Sequence, residues 1–166
     1  MKEIVQQPEK VLRQLSAPVS LEEIGRPALT RIIRDMSEAL AACEDGVAIA
    51  APQIGISLRI FVVSKRLFQA GEGDAIFINP IITKLSKKRV VMEEGCLSVR
   101  WTYGKTKRAD KVTVQAYDEL GNRFTWNASD LMAQIFQHEI DHLDGILFID
   151  HATNLHEQKI VSDKHD

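Results

Sequence analysis

The segment His138-Glu139-Ile140-Asp141-His142 sets two imidazoles four residues apart, with a carboxylate directly after the first. On a helix, at roughly 100° and 1.5 Å per residue, the rings lie about 40° apart around the axis and about 6 Å apart along it. Both can then reach one divalent ion. Glu139 points about 60° from His142, near enough to take a proton from a reacting water without being a ligand. H-E-x-x-H on a helix is the signature of metal-assisted hydrolysis. The competing reading is two partly buried histidines with no metal. Against it, both rings continue the apolar stripe of Leu131 and Ile135, where unpaired polar groups are costly.

A catalytic site of this kind keeps three protein ligands and one open position. A metzincin-type chain would carry histidine at 148, where this one has Phe148. A downstream glutamate ligand would have to be Glu157, in an unpatterned tail, and His151 reads as a surface residue in a loop. The residues alone leave the third ligand open.

The motif has to be held by a helix with definite ends. Asn127 or Ser129 can cap its start and Gly145 can end it. A second helix is marked by Leu29, Ile32, Ile33, Met36 and Leu40, with Pro27 near its start and Glu44-Asp45-Gly46 closing it. Between them the pattern is β-rich. Strands are predicted over 58–63, 75–82 and 111–117, and Glu119-Leu120-Gly121-Asn122 turns the last of these into 123–126. Strands in succession without intervening helices favour antiparallel sheet and an α+β class. Residues 4–19 read as an extended arm with one helical turn. The polar tail from Ala152 is expected to fray, with a short helix over 155–160.

With 166 residues and 45% hydrophobic content the chain suits one domain, 1–166, able to bury a genuine core. A net charge of −2 gives no global pull toward nucleic acid or anionic membrane. No apolar run approaches the ~20 residues of a membrane span, and the first residues lack a signal peptide's apolar region. Two cysteines, Cys43 and Cys96, make no disulfide scaffold. The cytoplasm is the expected compartment, and Cys43 reads as a packed residue at a helix end.

Upstream of the histidines, Glu94-Gly95-Cys96-Leu97-Ser98 supplies a cysteine on a short β-like segment. With Gly46-Val47-Ala48-Ile49-Ala50-Ala51-Pro52-Gln53-Ile54-Gly55 and the histidine helix, it resembles the three motifs of the peptide deformylase family, in order and separation. The likeness extends to Gln7-Pro8, Leu12-Arg13 and Asn79-Pro80. It implies that Cys96, His138 and His142 bind the metal, that Glu139 is the general acid/base, and that the Gln53 amide and the Leu97 N–H steady an oxyanion. Gly46, Val47, Ala48, Ile49 and Gly95 would contact substrate. The implied fold is α+β, with antiparallel sheets packed around the motif helix. The implied reaction removes the N-formyl group, as formate, from the formyl-methionine of new polypeptides. Fe(II) is the family's usual ion, and Zn(II) or Ni(II) can replace it.

Two departures from the family pattern stand out. Ala48 replaces a usual glycine, which is harmless if its φ is negative and strained if it is positive. Arg100-Trp101 falls where proline is common, and altered substrate-side contacts are expected there. The basic runs 84–89 and 105–111 read as solvated turn and strand approach, with ribosomal RNA contact as the alternative. Arg108 is a partner for Glu94, and Asp141 reads as an exposed carboxylate. Val47, Ile49, Ile135 and Met92 are candidates for a methionine pocket. Rival functions are a zinc peptidase, which needs a downstream ligand and ignores Cys96, and a non-catalytic metal-stabilised domain, which tolerates loss of Glu139.

Overall fold

A computed structural model describes residues 2–158. Helix α1 spans Pro27–Ala41 and helix α2 spans Asp130–Leu143. Eight strands accompany them: β1 (Ala48–Ala50), β2 (Ile60–Val63), β3 (Ala75–Leu85), β4 (Arg89–Gly95), β5 (Thr102–Ala109), β6 (Lys111–Tyr117), β7 (Arg123–Ser129) and β8 (Thr153–Glu157). The first sheet runs β1-β2-β3-β6-β7 and the second β4-β5-β8, and every pairing between these strands is antiparallel. This is the expected α+β class.

The two helices lie on opposite faces of the larger sheet, and the period-2 alternation of its strands explains why. In β2 every residue is buried. Phe61 and Val63 pack with Phe136, Ile140 and Leu143 of α2, while Ile60 and Val62 pack with Leu29, Met36 and Leu40 of α1. Phe77 continues the α2 side, stacked on Phe61 at 4.3 Å between ring centroids and edge-on to Phe136 at 4.9 Å. Truncating Phe136 to alanine would cost about 3–5 kcal/mol.

Helix α2 stops where Gly145 takes φ +73, a conformation glycine adopts freely. A Cβ at Gly145 would sit 2.6 Å from the Arg13 carbonyl oxygen, so the N-terminal arm presses against this turn. Ser129 occupies the N-cap position but its side chain makes no capping bond, and Asn127 belongs to β7, where its Oδ1 accepts from the Thr113 hydroxyl. The predicted side-chain cap is therefore absent.

The arm follows the predicted extended course, with one helical turn at Lys10–Arg13. Asn79 clamps its end, donating to the Val19 carbonyl and accepting from the Val19 N–H, both at 2.8 Å. The tail differs from expectation. Thr153–Glu157 is strand β8, paired with β5, because β5 offers an unpaired edge that local composition does not reveal. Residues 159 and 160 of the expected helix lie outside the described residues. No helix of the described residues is long and apolar enough to cross a membrane.

Candidate active site

Helix α2 carries His138, Glu139 and His142 toward the end of β4, where the chain turns into Cys96. The Cys96 sulfur lies 3.3 Å from His142 Nε2, which lies 3.2 Å from His138 Nε2. One ligand atom from each of these three residues falls within 4.8 Å of the others. Burial and the neighbouring His138 push the His142 pKa well below its ordinary value, which favours the neutral, ligating form. Burial opposes charge on His138, but Cys96 and Glu94 push its pKa up. The three atoms are soft and borderline donors that converge on one point, a set that fits a divalent cation. The Cys–His–His group suits one metal ion.

The orientation of His138 has a visible cause. Its Nδ1 lies 2.5 Å from Glu94 Oε1, which leaves Nε2 facing the centre. Glu94 in turn receives Arg108 through Nη2 at 2.5 Å and Nε at 3.1 Å, the Thr106 hydroxyl at 2.7 Å and the Gln134 amide at 3.2 Å. Burial alone would raise its carboxyl. The hydrogen bonds from His138 and Arg108 outweigh that and hold it far below the usual range. Arg108 also donates to Asp141 at 2.7 Å. The expected Glu94–Arg108 pair is present, and Asp141 is a half-buried partner of Arg108, contrary to its reading as an exposed carboxylate. The run 105–111 is likewise more than solvated charge: β5 alternates, turning Lys105 and Lys107 outward and Thr106 and Arg108 inward. Gln134 was not singled out from the sequence, although it lies one turn before His138 on the motif helix.

Glu139 is buried, and burial pushes its carboxyl up to about 7, opposed by His138 and aided by Glu94. Its Oε2 has no hydrogen-bond partner among the described residues, and the side chain lines a cleft of about 280 Å³. That suits a group that must exchange a proton with something entering the cleft.

Gln53 is held by motif contacts on both sides. Its Oε1 accepts from the Ala50 N–H at 2.8 Å, and its Nε2 donates to the Ser98 hydroxyl at 3.1 Å and toward the Cys96 sulfur at 3.7 Å. The Leu97 carbonyl accepts from Gln6 at 2.7 Å, and its N–H has no hydrogen-bond partner among the described residues. Backbone bonds from Val5 to Gln53 and from Gln7 to Ser98 tie the arm across both motifs.

The cleft is lined by Gly46, Val47, Ala48, Gln53, Gly95, Cys96, Leu97, Ile135, His138 and Glu139, among others. Ile49 and Met92 are not among its lining. Ile49 is fully buried against α1, because the alternation that turns Ala48 and Ala50 one way turns Ile49 the other; its expected place in the pocket is corrected to the core. Ala48 has no positive φ, so the methyl there carries no backbone strain. Both cysteines are free thiols, and Cys43 packs at the edge of the α1 core as expected.

Comparison with known proteins agrees with this geometry. The model of the family described as polypeptide deformylase matches residues 1–158. The peptide deformylase of Halothermothrix orenii is 44% identical over 154 residues, covering 92% of this chain and 94% of the relative. Peptide deformylase 2 of Clostridium acetobutylicum is 42% identical over 145 residues, covering 87% and 91%. The crystal structure of a Legionella pneumophila peptide deformylase is 35% identical with a TM-score of 0.83, covering 93% of this chain and 87% of that one. A histidine helix meeting a cysteine 42 residues upstream could have arisen in isolation, but these matches run through arm, sheets and helices alike, and the chain belongs to the polypeptide deformylase family.

Proposed function

We infer that this chain acts as a peptide deformylase, releasing formate from the N-terminal formyl-methionine of newly made polypeptides. The observation that carries the reading is the Cys96–His138–His142 donor set beside buried Glu139 on the wall of one cleft. A divalent ion held there would act as a Lewis acid and lower the pKa of water toward about 7. Iron(II) is the expected native ion on the family's habit, and a thiolate with two imidazoles also accepts zinc or nickel.

The chain's own groups supply the rest. Glu139 takes the proton of the attacking water as the new C–O bond forms, then delivers it to the amine as the formyl C–N bond breaks. The Gln53 amide and the Leu97 N–H are assigned to the oxygen that becomes negative, where donors fixed in advance contribute most. Gly46, Val47, Ala48 and Gly95 are assigned to substrate. Among the described residues strand β1 pairs with β2 on one side only, so its other edge is available to an extended peptide; the backbone groups on that edge are chiefly those of Ala48, since Ile49 is paired with Val62. We further assign residues 1–166 to one catalytic domain acting in the cytoplasm, with emerging chains as substrates. The basic runs 84–89 and 105–111 are the candidates for contact with the ribosome.

The test is direct. Anaerobically purified protein is incubated with formylated and acetylated methionyl peptides, and released acid and bound metal are measured on the same sample. Formate release with about one metal per chain and little acetate is expected. Equal cleavage of both peptides, or internal cleavage, would point to the peptidase rival instead.

A further inference from the structure

Strand β1 enters the cleft wall straight from the turn that ends α1, and the chemistry above does not say how that turn is held. Helix α1 has no basic residue in its last turn, so its final carbonyls end without a local cation. Arg66 supplies one from outside the three motifs. Its Nη1 donates to the Cys43 carbonyl at 2.6 Å and, at 3.3 Å each, to those of Glu44 and Gly46. Its Nη2 donates to the Ala41 carbonyl at 2.7 Å. One guanidinium thus gathers the carbonyls of the stretch 41–46, as a basic side chain at a helix C-terminus can.

The turn has little slack on its other sides. Gly46 donates its N–H to the Cys43 carbonyl at 3.0 Å, and a Cβ at Gly46 would sit 2.9 Å from Leu40 Cδ1. On the cleft side, Asp45 accepts from Arg100 Nη1 at 2.6 Å. Just beyond, the Val47 carbonyl accepts from the Ser64 N–H at 2.8 Å.

Arg66 can act as a fixed point because its own turn is anchored. It belongs to the short helical turn Lys65–Leu67 that follows β2. There the Ser64 hydroxyl accepts from the Arg66 N–H at 3.2 Å, and Asp74 accepts from the Lys65 N–H at 2.8 Å. Its neighbours Leu67 and Phe68 pack against the core on the α2 side of the larger sheet. The segment it holds leads into Asp45, Gly46, Val47 and Ala48, which line the same cleft as Cys96, His138 and Glu139. None of the Arg66 hydrogen bonds reaches a metal donor or Glu139.

We propose that Arg66 is a positioning residue for deformylation: from behind the cleft it fixes the 41–46 turn, and with it the Gly46–Ala48 wall that receives substrate. This inference rests on the deformylase reading. Removing Arg66 loosens the wall and leaves the reacting groups where they are.

The experiment measures kcat and KM for formyl-Met-Ala-Ser with metal-loaded wild type, Arg66→Met and Arg66→Lys, well below their melting temperatures. Amide hydrogen exchange at Gly46 and Ser64 is followed on the same proteins. Arg66→Met is expected to raise KM roughly 3- to 10-fold, the scale of hydrogen bonds lost at a partly exposed site, with kcat within about twofold of wild type. Arg66→Lys keeps the charge but not the planar fork, and its KM should fall between the two. Exchange at Gly46 and Ser64 should quicken on the order of 10-fold in Arg66→Met while the α2 amides stay as they were. A merely structural cap on α1 would lower Tm and leave KM alone. An unchanged KM in Arg66→Met, or a fall in kcat without a rise in KM, overturns the assignment while formate release continues. If Arg66→Met does not fold, the KM of Arg66→Lys decides by the same rule. Absence of formate release from the wild type would instead overturn the deformylase reading and the role in the reaction together, and the exchange rates would still show whether Arg66 holds the turn.

Discussion

Replacing Arg108 with methionine would remove the cation from a network that is almost wholly out of solvent. The side chains of Arg108 and Glu94 are 6% and 4% exposed, and Arg108 makes two hydrogen bonds to Glu94 and one to Asp141. Removing one member of a buried pair costs about 3–5 kcal/mol, chiefly because the other charge stays buried without compensation. Glu94 would keep the Thr106 hydroxyl, the Gln134 amide and His138, which puts the expected loss near the lower end, about 3 kcal/mol. For a chain of this length that corresponds to a fall in Tm of roughly 6–12 °C. Glu94→Gln with Arg108→Met removes both charges and should cost much less than the sum of the single changes, giving a coupling of about 2 kcal/mol. The assay is urea unfolding of metal-free protein followed by circular dichroism, so that metal binding does not add its own stabilisation. In parallel, Arg108→Met should weaken metal affinity by roughly 10- to 100-fold, since Glu94 orients His138. A loss below about 1 kcal/mol, with coupling within about 0.5 kcal/mol of zero, would refute the claim that this network is a buried, interdependent unit.

Three further outcomes are expected. Glu139→Ala should fold, retain its metal and lose on the order of 10²- to 10⁴-fold in turnover; near-normal formate release by that variant would remove Glu139 from the proton path. Cys96→Ser should change metal affinity or identity, because a hard hydroxyl replaces a soft sulfur, and metal analysis with unchanged content and selectivity would exclude Cys96 as a ligand. Arg13 hydrogen-bonds Asp150 at 2.6 and 2.9 Å and lowers its carboxyl pKa. That stabilisation is present above the unfolded value of about 3.9 and fades as pH falls through the lower folded value. The pair is more than a third exposed, so Arg13→Gln should cost only about 0.2–1 kcal/mol at pH 7. The difference from wild type should vanish in acid, and a gap that widens toward low pH in paired denaturation curves would contradict this sign.

Much of the architecture was legible because its causes are local. The spacing of Leu29, Met36 and Leu40 announced α1, and the alternating runs announced β2, β3 and β6, with ends within a few residues of those observed. Strand β8 was read as part of a fraying tail with a short helix over 155–160, because a short polar segment carries no periodicity of its own. It is a strand because β5 supplies its partner. Ile49 was assigned to the pocket as part of a motif, whereas strand alternation sends its side chain to the opposite face.

The same division runs through the site. Sequence by itself determined that His138 and His142 share a helical face with Glu139 beside them, since 3.6 residues per turn converts spacing directly into direction. Family likeness added Cys96, and nothing in the local chemistry of a lone cysteine could have done so. Only the tertiary structure decided that its sulfur comes within 3.3 Å of His142, that Glu94 and Asp141 are joined through the one guanidinium of Arg108, and that Asp45 meets Arg100 across the cleft. These contacts link residues tens of positions apart. Their formation depends on how the two sheets and α2 pack together, a sum of many small burial energies that no short stretch of sequence contains.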